Sequence, residues 1–194
     1  FDGEHASIKI QNGSFQTQRL SADFRKLTGN TALSLALDNI ESAGYRDNND
    51  YENFSLAGEV SREQHNRNYG TRIYLSREKT GLPGALDETT YKSNPTANSS
   101  QDKAKEARNS IEGFIHGDTL VTELTISKKH QEYVSTDFGL FESESDLNTV
   151  SLTPRVNRQY GKNTVIGGLD LYRSKFDAES TFSRQNAKKE SYAA

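Results

Sequence analysis

The side chains that most often carry catalysis or bind metals are few in this chain and scattered along it. Its four histidines, His5, His65, His116 and His130, lack the paired spacing of a zinc site or of a helix-borne metal motif. The chain has no cysteine, which excludes a thiolate nucleophile, a disulfide framework and any cysteine-based metal centre. No serine lies in a Gly-x-Ser-x-Gly turn. We therefore expect no catalytic residue, no metal site and no cofactor, and we expect that the protein is not an enzyme.

Composition excludes two further classes of protein. The net charge is -3, and the 24 basic and 27 acidic residues are spread along the whole chain, so no basic field indicates a nucleic-acid partner. Hydrophobic residues make up 32%, and no apolar run approaches the roughly 18 residues of a membrane helix. A mean hydropathy of -0.86 is still compatible with a membrane barrel, because only every second residue of such a strand meets lipid.

The elements that must position any functional residue are short segments with apolar side chains at every second position. The clearest is 31–38, where Leu33, Leu35 and Leu37 alternate with small or charged residues. The pattern predicts an all-β fold, an antiparallel up-and-down meander of about nine to ten strands. The same alternation recurs in residues 6–10, 20–24, 54–60, 71–75, 111–115, 120–126, 150–156 and 165–171.

Short and long connections alternate between these segments. Four short turns contain Gly, Asn or Asp, which accept the positive φ of tight hairpins, and we expect them at one edge of the sheet. The long connections then belong at the other edge. The longest of these exceeds the length of an ordinary loop in a compact domain, and connections of that length are usually functional or disordered. The short turns lie at 27–30, 64–68, 117–119 and 161–163, and the long connections at about 43–53, 80–108, 133–146 and 176–190.

Two features interrupt the alternating pattern near its C-terminal end. Pro154 lies inside a strand-like segment, where it removes a donor from the hydrogen-bond ladder and predicts a bulge or an unpaired stretch. Gly167 and Gly168 lie inside the next segment and predict a sharp bend of the strand or close packing against another domain.

The alternation is compatible with two environments. In a soluble sandwich the apolar faces point inward to a packed core, whereas in an outer-membrane barrel they point outward to lipid and the charged faces line a watery lumen. The pattern alone does not choose between them.

The order of four phrases resembles the first half of the barrel of TonB-dependent outer-membrane receptors. The phrases are NGSFQTQRLSADF, SAGYRDNNDYENFSLAGEV, RIYLSREKTGLPGAL and VSLTPRVNRQYGKNTVIGGLDLYRSKFD. The resemblance implies that residues 1–194 are a partial transmembrane β-barrel domain of the bacterial outer membrane, with the long connections outside the cell. It also implies that the plug domain and the later barrel strands are not part of these residues.

What the resemblance implies about function is the uptake of a scarce ligand such as a ferric siderophore, haem, cobalamin or another metal chelate. The implied partners are outer-membrane lipid, the metal chelate, and the TonB complex acting through the plug. Aromatic residues near the long connections would form a belt at the membrane surface: Tyr45, Tyr51, Phe54, Phe138, Tyr172 and Phe176. Candidate ligand contacts are Tyr45, Arg46, Asp47, Leu82 and Tyr91 in the loops, and Arg72, Tyr74, Glu112 and Arg155 on the charged faces of the strands.

Two other functions fit the same pattern. A soluble or surface-exposed β-rich module for binding or adhesion would bury the apolar faces in a core, and its loops would not sort by length onto opposite edges. A passive porin-like barrel would keep the topology without a plug or TonB.

Overall fold

A computed structural model describes residues 3–137 and 139–193 as one antiparallel sheet, which confirms the all-β meander. Strands β1 to β8 and then β11 and β12 pair in order across it, while β9 pairs with β10 and touches β7. One short helix, α1 (Glu88–Ser93), lies between β5 and β6. The strands are β1 (Glu4–Asn12), β2 (Gln18–Thr28), β3 (Thr31–Ser42), β4 (Tyr51–Gln64), β5 (Arg67–Leu82), β6 (Asp102–Gly117), β7 (Leu120–Ser135), β8 (Phe141–Leu152), β9 (Arg155–Tyr160), β10 (Asn163–Gly168), β11 (Asp170–Ser180) and β12 (Ser183–Ala193).

The strand register gathers the alternating residues onto two faces of the sheet. A row, meaning residues directly opposite one another on successive strands, runs from Leu35 through Gly58 and Ile73 to Ile111 and Ile126. We call this side the apolar face. The neighbouring row runs through Ser34, Glu59, Arg72, Glu112 and Thr125, and we call that side the polar face.

The apolar band crosses the sheet diagonally. On β1 it is centred on Ile8 and Ile10, whose rows reach Lys128 and His130 on β7. On β7, however, the band covers residues 120–126, so its centre has moved by six rows over the six strand-to-strand steps. The rise is about 3.4 Å per residue and the spacing between strands is about 4.8 Å. With these dimensions, the drift means that the strands are tilted by about 35° from the perpendicular to the apolar band. That angle lies in the range typical of membrane barrels.

The four predicted short turns are confirmed at one edge of the sheet. Gly29 has a φ of 58° and Gly161 a φ of 61°, the left-handed region that favours glycine. His65 and Asn66 occupy the same region at 52° and 58°, as a two-residue hairpin turn with positive φ at both central positions requires. The other edge carries the connections 13–17, 43–50, 83–101, 136–140 and 181–182.

Two expected long connections are mostly strand. β7 and β8 are joined by residues 136–140 rather than 133–146, and β11 and β12 are joined at 181–182 in place of a loop at 176–190. The connection between β5 and β6 likewise spans 83–101 rather than 80–108. Beyond the apolar band both faces of a strand are polar, so the alternation that reveals a strand in sequence is absent there.

The interruption expected near Pro154 is present. β8 ends at Leu152, β9 begins at Arg155, and across the sheet β10 ends at Gly168 before β11 begins at Asp170. The Leu169 N–H donates to the Pro154 carbonyl oxygen over 3.0 Å, so the two breaks face each other. Each interrupted pair counts as one strand in the predicted number, which brings the twelve strands to ten.

Burial in the sheet is inverted relative to a soluble protein. On the apolar face Leu35 is 41% exposed and Ile126 is 50% exposed. Phe114, on the polar face, is 3% exposed and is the one buried hydrophobic side chain among the described residues. Across residues 3–137 and 139–193, no helix has the length and apolar character needed to cross a membrane.

The expected aromatic belt is wrong for three of its members. Phe54 lies on the apolar face, but Tyr51, Tyr172 and Phe176 lie on the polar face, because the register pairs them with residues of the polar rows. Tyr45 lies in the 43–50 connection, and Phe138 lies outside the described residues. An interfacial belt requires rings on the lipid side of the strands.

Candidate ligand-binding surfaces

A charged row on the polar face is centred on Arg72. Its Nε donates to Oε2 of Glu59 over 2.8 Å, and its Nη1 donates to Oε1 of Glu112 over 2.7 Å. The Thr125 hydroxyl donates to the other Glu112 oxygen over 3.3 Å. One guanidinium therefore cross-links β4, β5 and β6 in a planar, charge-assisted arrangement.

Phe114 supports this row from the side of the short turns. The Arg72 guanidinium lies 4.2 Å from the centre of the Phe114 ring, within range of a cation–π contact. Phe114 is directly opposite Gly70 on β5. A Cβ at Gly70 would come within 2.3 Å of the Val60 carbonyl oxygen, so this glycine is required by a close approach of the backbones.

A shallow hollow of about 380 Å³ opens beside Arg72. Its floor is made of the small residues Ser34, Ala36 and Ala57, which leave space above the sheet. Side chains of both charges surround this floor, so the hollow offers hydrogen-bond donors and acceptors to a polar ligand. The surrounding charged and aromatic residues are Asp23, Arg25, Glu59, Arg72, Tyr74 and Glu112.

The structure brings together three of the four predicted wall residues. Arg72, Tyr74 and Glu112 all line the hollow. Arg155 does not, because it lies at the start of β9, opposite Val121 and Gly168 and nearer the short turns. Its Nη2 is 3.6 Å from Oδ1 of Asp170, and both side chains are more than half exposed.

The predicted loop residues lie where the 43–50 and 83–101 connections pack against each other. Arg46 donates from Nε to the carbonyl of Ala97 over 2.9 Å, from Nη1 to Gly84 over 2.7 Å and from Nη2 to Pro83 over 3.1 Å. The guanidinium thus satisfies backbone carbonyls that strand pairing leaves without donors. This arrangement holds the longest connection onto its neighbour.

Asn48 has the same role two residues further along the 43–50 connection. Its amide Nδ2 lies within hydrogen-bond distance of the carbonyls of Leu82, Ser100 and Asp102, at 3.2, 3.1 and 3.0 Å. Asn48 has a φ of 54°, a left-handed conformation that asparagine tolerates better than most residues. The Asp47 N–H donates to the Thr96 carbonyl over 2.8 Å, which adds a backbone link to the same contact.

Exposed aromatic side chains remain at this end of the sheet. Tyr45 is 50% exposed and packs edge-on against Phe15 with ring centres 5.5 Å apart. Tyr91 is 62% exposed on α1, and Leu82 is 37% exposed at the end of β5. Asp87 caps α1, and hydrogen bonds from the Thr90 backbone, the Thr90 hydroxyl and the Thr89 backbone hold the pKa of its carboxyl below the usual value.

Several residues of these surfaces were not identified as candidates from sequence. Phe114 lies in a short apolar run and is indistinguishable there from a lipid-facing residue. His130, Glu144 and Asp146 meet on β7 and β8. They meet because β7 pairs with β8. The sequence predicted a loop at 133–146, so Glu144 and Asp146 were not expected to lie on a strand beside His130.

Solved structures similar to this fold are outer-membrane receptors and transporters. The pyoverdine outer-membrane receptor FpvA from Pseudomonas aeruginosa PAO1, bound to pyoverdine, has a TM-score of 0.66 and 11% identity over 93% of this chain and 31% of that chain. FpvAI in its complex with pyocin S2 gives 0.68 and 9% over 97% and 30%. The unliganded ferric citrate transporter FecA gives 0.64 and 10% over 98% and 32%.

This similarity is one of fold. The chain spans about three tenths of the length of those solved proteins, which are β-barrel receptors. The sequence matches no protein-family model, and no curated protein is significantly similar to it. The chain therefore has the fold of a consecutive part of such a barrel wall.

Proposed function

We propose that this chain is part of the barrel wall of a bacterial outer-membrane receptor that takes up a scarce metal chelate, such as a ferric siderophore, with energy supplied by TonB. The observation that carries the proposal is the diagonal apolar band. A level hydrocarbon layer crossed by strands tilted at about 35° selects apolar residues progressively lower on each successive strand.

A soluble binding or adhesion module is less consistent with this band. In a sandwich, the residues of one hydrogen-bonded row share the same depth in the core, so no systematic drift of six rows is required. The half-exposed apolar face and the ion-paired polar face also favour lipid outside and water inside.

The proposed ligand contacts lie at two levels of the polar side. Tyr45, Leu82 and Tyr91 are exposed at the outer loops and meet the ligand first, while Arg46 and Asp47 hold the two loops in position. Below them Arg72, Tyr74 and Glu112 line the hollow and offer charge and hydrogen bonds to a polar ligand. Arg155 lies nearer the short turns and contacts the ligand later in its passage through the barrel.

Uptake by whole cells tests the proposal. The full-length parent protein is produced in a bacterium that lacks its own ferric chelate receptors, and cells receive radiolabelled ferric citrate or a radiolabelled ferric pyoverdine. We expect uptake of at least one probe that stops when the proton gradient is collapsed. Uptake that persists without the gradient would indicate a passive porin-like barrel. Recovery of the protein from the soluble fraction would contradict the membrane assignment.

A further inference from the structure

A histidine and three carboxylates come together on the apolar-face side of β7 and β8, beyond the end of the apolar band. His130 is directly opposite Asp146, and Glu132 is directly opposite Glu144. The His130 Nδ1 lies 3.2 Å from Oδ1 of Asp146 and 3.8 Å from Oε1 of Glu144. The ligand atoms of His130, Glu144 and Asp146 all lie within 4.8 Å of one another.

These separations are close to those that a small dication imposes. With bonds of about 2.0–2.2 Å, a tetrahedral zinc ion holds its ligand atoms about 3.3–3.6 Å apart. Small side-chain rotations suffice to reach that spacing, because His130 and Asp146 are a little over one quarter exposed and Glu144 is 63% exposed.

Glu132 orients the imidazole for binding through Nδ1. The His130 Nε2 lies 3.2 Å from Oε1 of Glu132, so an Nε2–H donates to that carboxylate and leaves the Nδ1 lone pair facing the other two. Glu132 is itself held by the Lys105 ammonium at 2.8 Å. A carboxylate behind the coordinating imidazole is a recurrent feature of zinc sites, since it fixes the tautomer and raises ligand basicity.

The surrounding rows carry more negative than positive charge. Asp146 is directly opposite Asp177, and Glu144 is directly opposite Glu179 as well as Glu132. Like charges directly opposite on neighbouring strands repel, so a bound dication relieves this repulsion. Lys128 lies 3.0 Å from Oδ1 of Asp146 and neutralises part of the charge. Its ammonium therefore competes with a metal for this oxygen.

We propose that His130, Glu144 and Asp146 form a three-ligand site for a divalent transition-metal cation of the Zn²⁺ class, with a fourth position open to solvent. The imidazole favours such an ion over Ca²⁺ or Mg²⁺, which prefer oxygen ligands alone. The site lies on the opposite side of the sheet from the hollow beside Arg72, so it is distinct from any path of an imported chelate.

Metal titration of the full-length protein in detergent, after treatment with a chelator, tests this site. Zn²⁺ binding is followed by calorimetry, and Co²⁺ binding by the visible absorption of tetrahedral cobalt. We expect one site whose affinity falls at least tenfold in His130→Gln and in Asp146→Asn. The matched control is His116→Gln, because the His116 Nε2 also lies 2.9 Å from a carboxylate, that of Glu123, but on the polar face. This control should bind as the wild type does.

Two further variants separate metal binding from a purely structural role. Glu132→Gln should lower the affinity about tenfold while the three ligands remain. Lys128→Met should raise the affinity, because it removes the competing ammonium, and it keeps a side chain of similar length in place. Wild-type affinity in His130→Gln, or no gain in Lys128→Met, would overturn the proposal. Neither result depends on whether the protein imports a ligand.

Discussion

Arg72 lies directly opposite Glu112 on the neighbouring strand, and its Nη1 donates to Oε1 of that carboxylate over 2.7 Å. Because its Nε also donates to Glu59, the Arg72 guanidinium lies between carboxylates of the two neighbouring strands. The arrangement explains why three fully charged residues occupy consecutive positions of one row. On a lipid-facing surface they would be costly, but on a face in contact with water they stabilise the register.

Replacement of Arg72 by Met should destabilise the barrel. Glu59 and Glu112 then lie on either side of β5 with no cation between them, and two charge-assisted hydrogen bonds are lost. Because the three side chains are 23–41% exposed, water screens part of the effect, and we expect a loss of about 1–2 kcal/mol. Reversible unfolding in lipid vesicles measures it. Lys79→Met, which breaks an exposed pair with Glu52, is the matched control and should change little. Equal effects would argue against a special role for Arg72.

A charge on the apolar face should cost more than the same charge on the polar face. Leu35 lies at the centre of the apolar band on β3, and its neighbour Ser34 points to the other face. Leu35→Arg should therefore lower the free energy of unfolding in vesicles by about 2–4 kcal/mol, and Ser34→Arg by far less. Since a register shift of one residue exchanges the faces, similar costs for the two variants would contradict both the register and the membrane assignment.

Phe114 should be the most sensitive aromatic position of the polar face. Its ring is 3% exposed and packs beside Arg72, so Phe114→Ala leaves a cavity and should cost about 3 kcal/mol. Phe176 lies on the same face but is 36% exposed, and Phe176→Ala should cost clearly less. Unfolding by denaturant in vesicles compares the two. The order of these losses, rather than either value alone, is the test.

Two deletions in the longest connection should have different structural effects. Removal of residues 88–93 takes away α1 but keeps Thr96, Ala97 and Ser100, which contact the 43–50 connection. Removal of 89–101 also takes away those acceptors, which leaves the Nε donor of Arg46 and the backbone N–H of Asp47 unsatisfied. Closure entropy changes by only about 0.6 kcal/mol per doubling of loop length, so both barrels should fold.

Amide hydrogen exchange distinguishes the two deletions. Exchange in the 43–50 connection should be faster only when 89–101 is removed. Ligand uptake should fall in both variants, because both lack Tyr91. Unchanged uptake in both would remove this connection from the proposed binding surface, while equal exchange would show that the contacts through Arg46 do not hold the loops.

The contact between Asp102 and Tyr133 should make the first residues of β6, at the edge with the long connections, sensitive to pH. The Tyr133 hydroxyl donates to Oδ2 of Asp102, which lowers the pKa of the carboxyl and raises the pKa of the phenol. The carboxyl stabilises the folded state above its unfolded pKa of about 3.9, and this contribution is lost as pH falls through the lower folded value. The phenol contribution is present below its unfolded pKa of about 10 and is lost as pH rises through the higher folded value.

Protease sensitivity of the 136–140 connection, measured across this pH range, checks the prediction. Cleavage should be slow between about pH 4 and pH 10 and faster outside these limits. The Thr136 N–H also donates to Asp102, which ties the connection to the carboxylate. Asp102→Asn should abolish the increase in cleavage at low pH. The same increase in that variant would exclude this carboxyl as its cause.

The sequence by itself determined the strands of the apolar band and the short turns. Alternation of the kind seen at Leu33, Leu35 and Leu37 is a local signal with a period of two, and it does not depend on which strands are neighbours. The turn residues Gly29 and Gly161 are equally local, because a positive φ is a property of one residue. The break at Pro154 follows from the absence of an N–H.

Only the tertiary structure decided which side chains meet. The diagonal drift of the apolar band, the row through Arg72, and the contact of His130 with Asp146 depend on the register of strands far apart in sequence. The strand ends beyond the band were hidden for a related reason, since water contacts both of their faces and no alternation is selected there. Arg46 was expected at the ligand, but the loop packing directs its donors to backbone carbonyls, which no local pattern encodes.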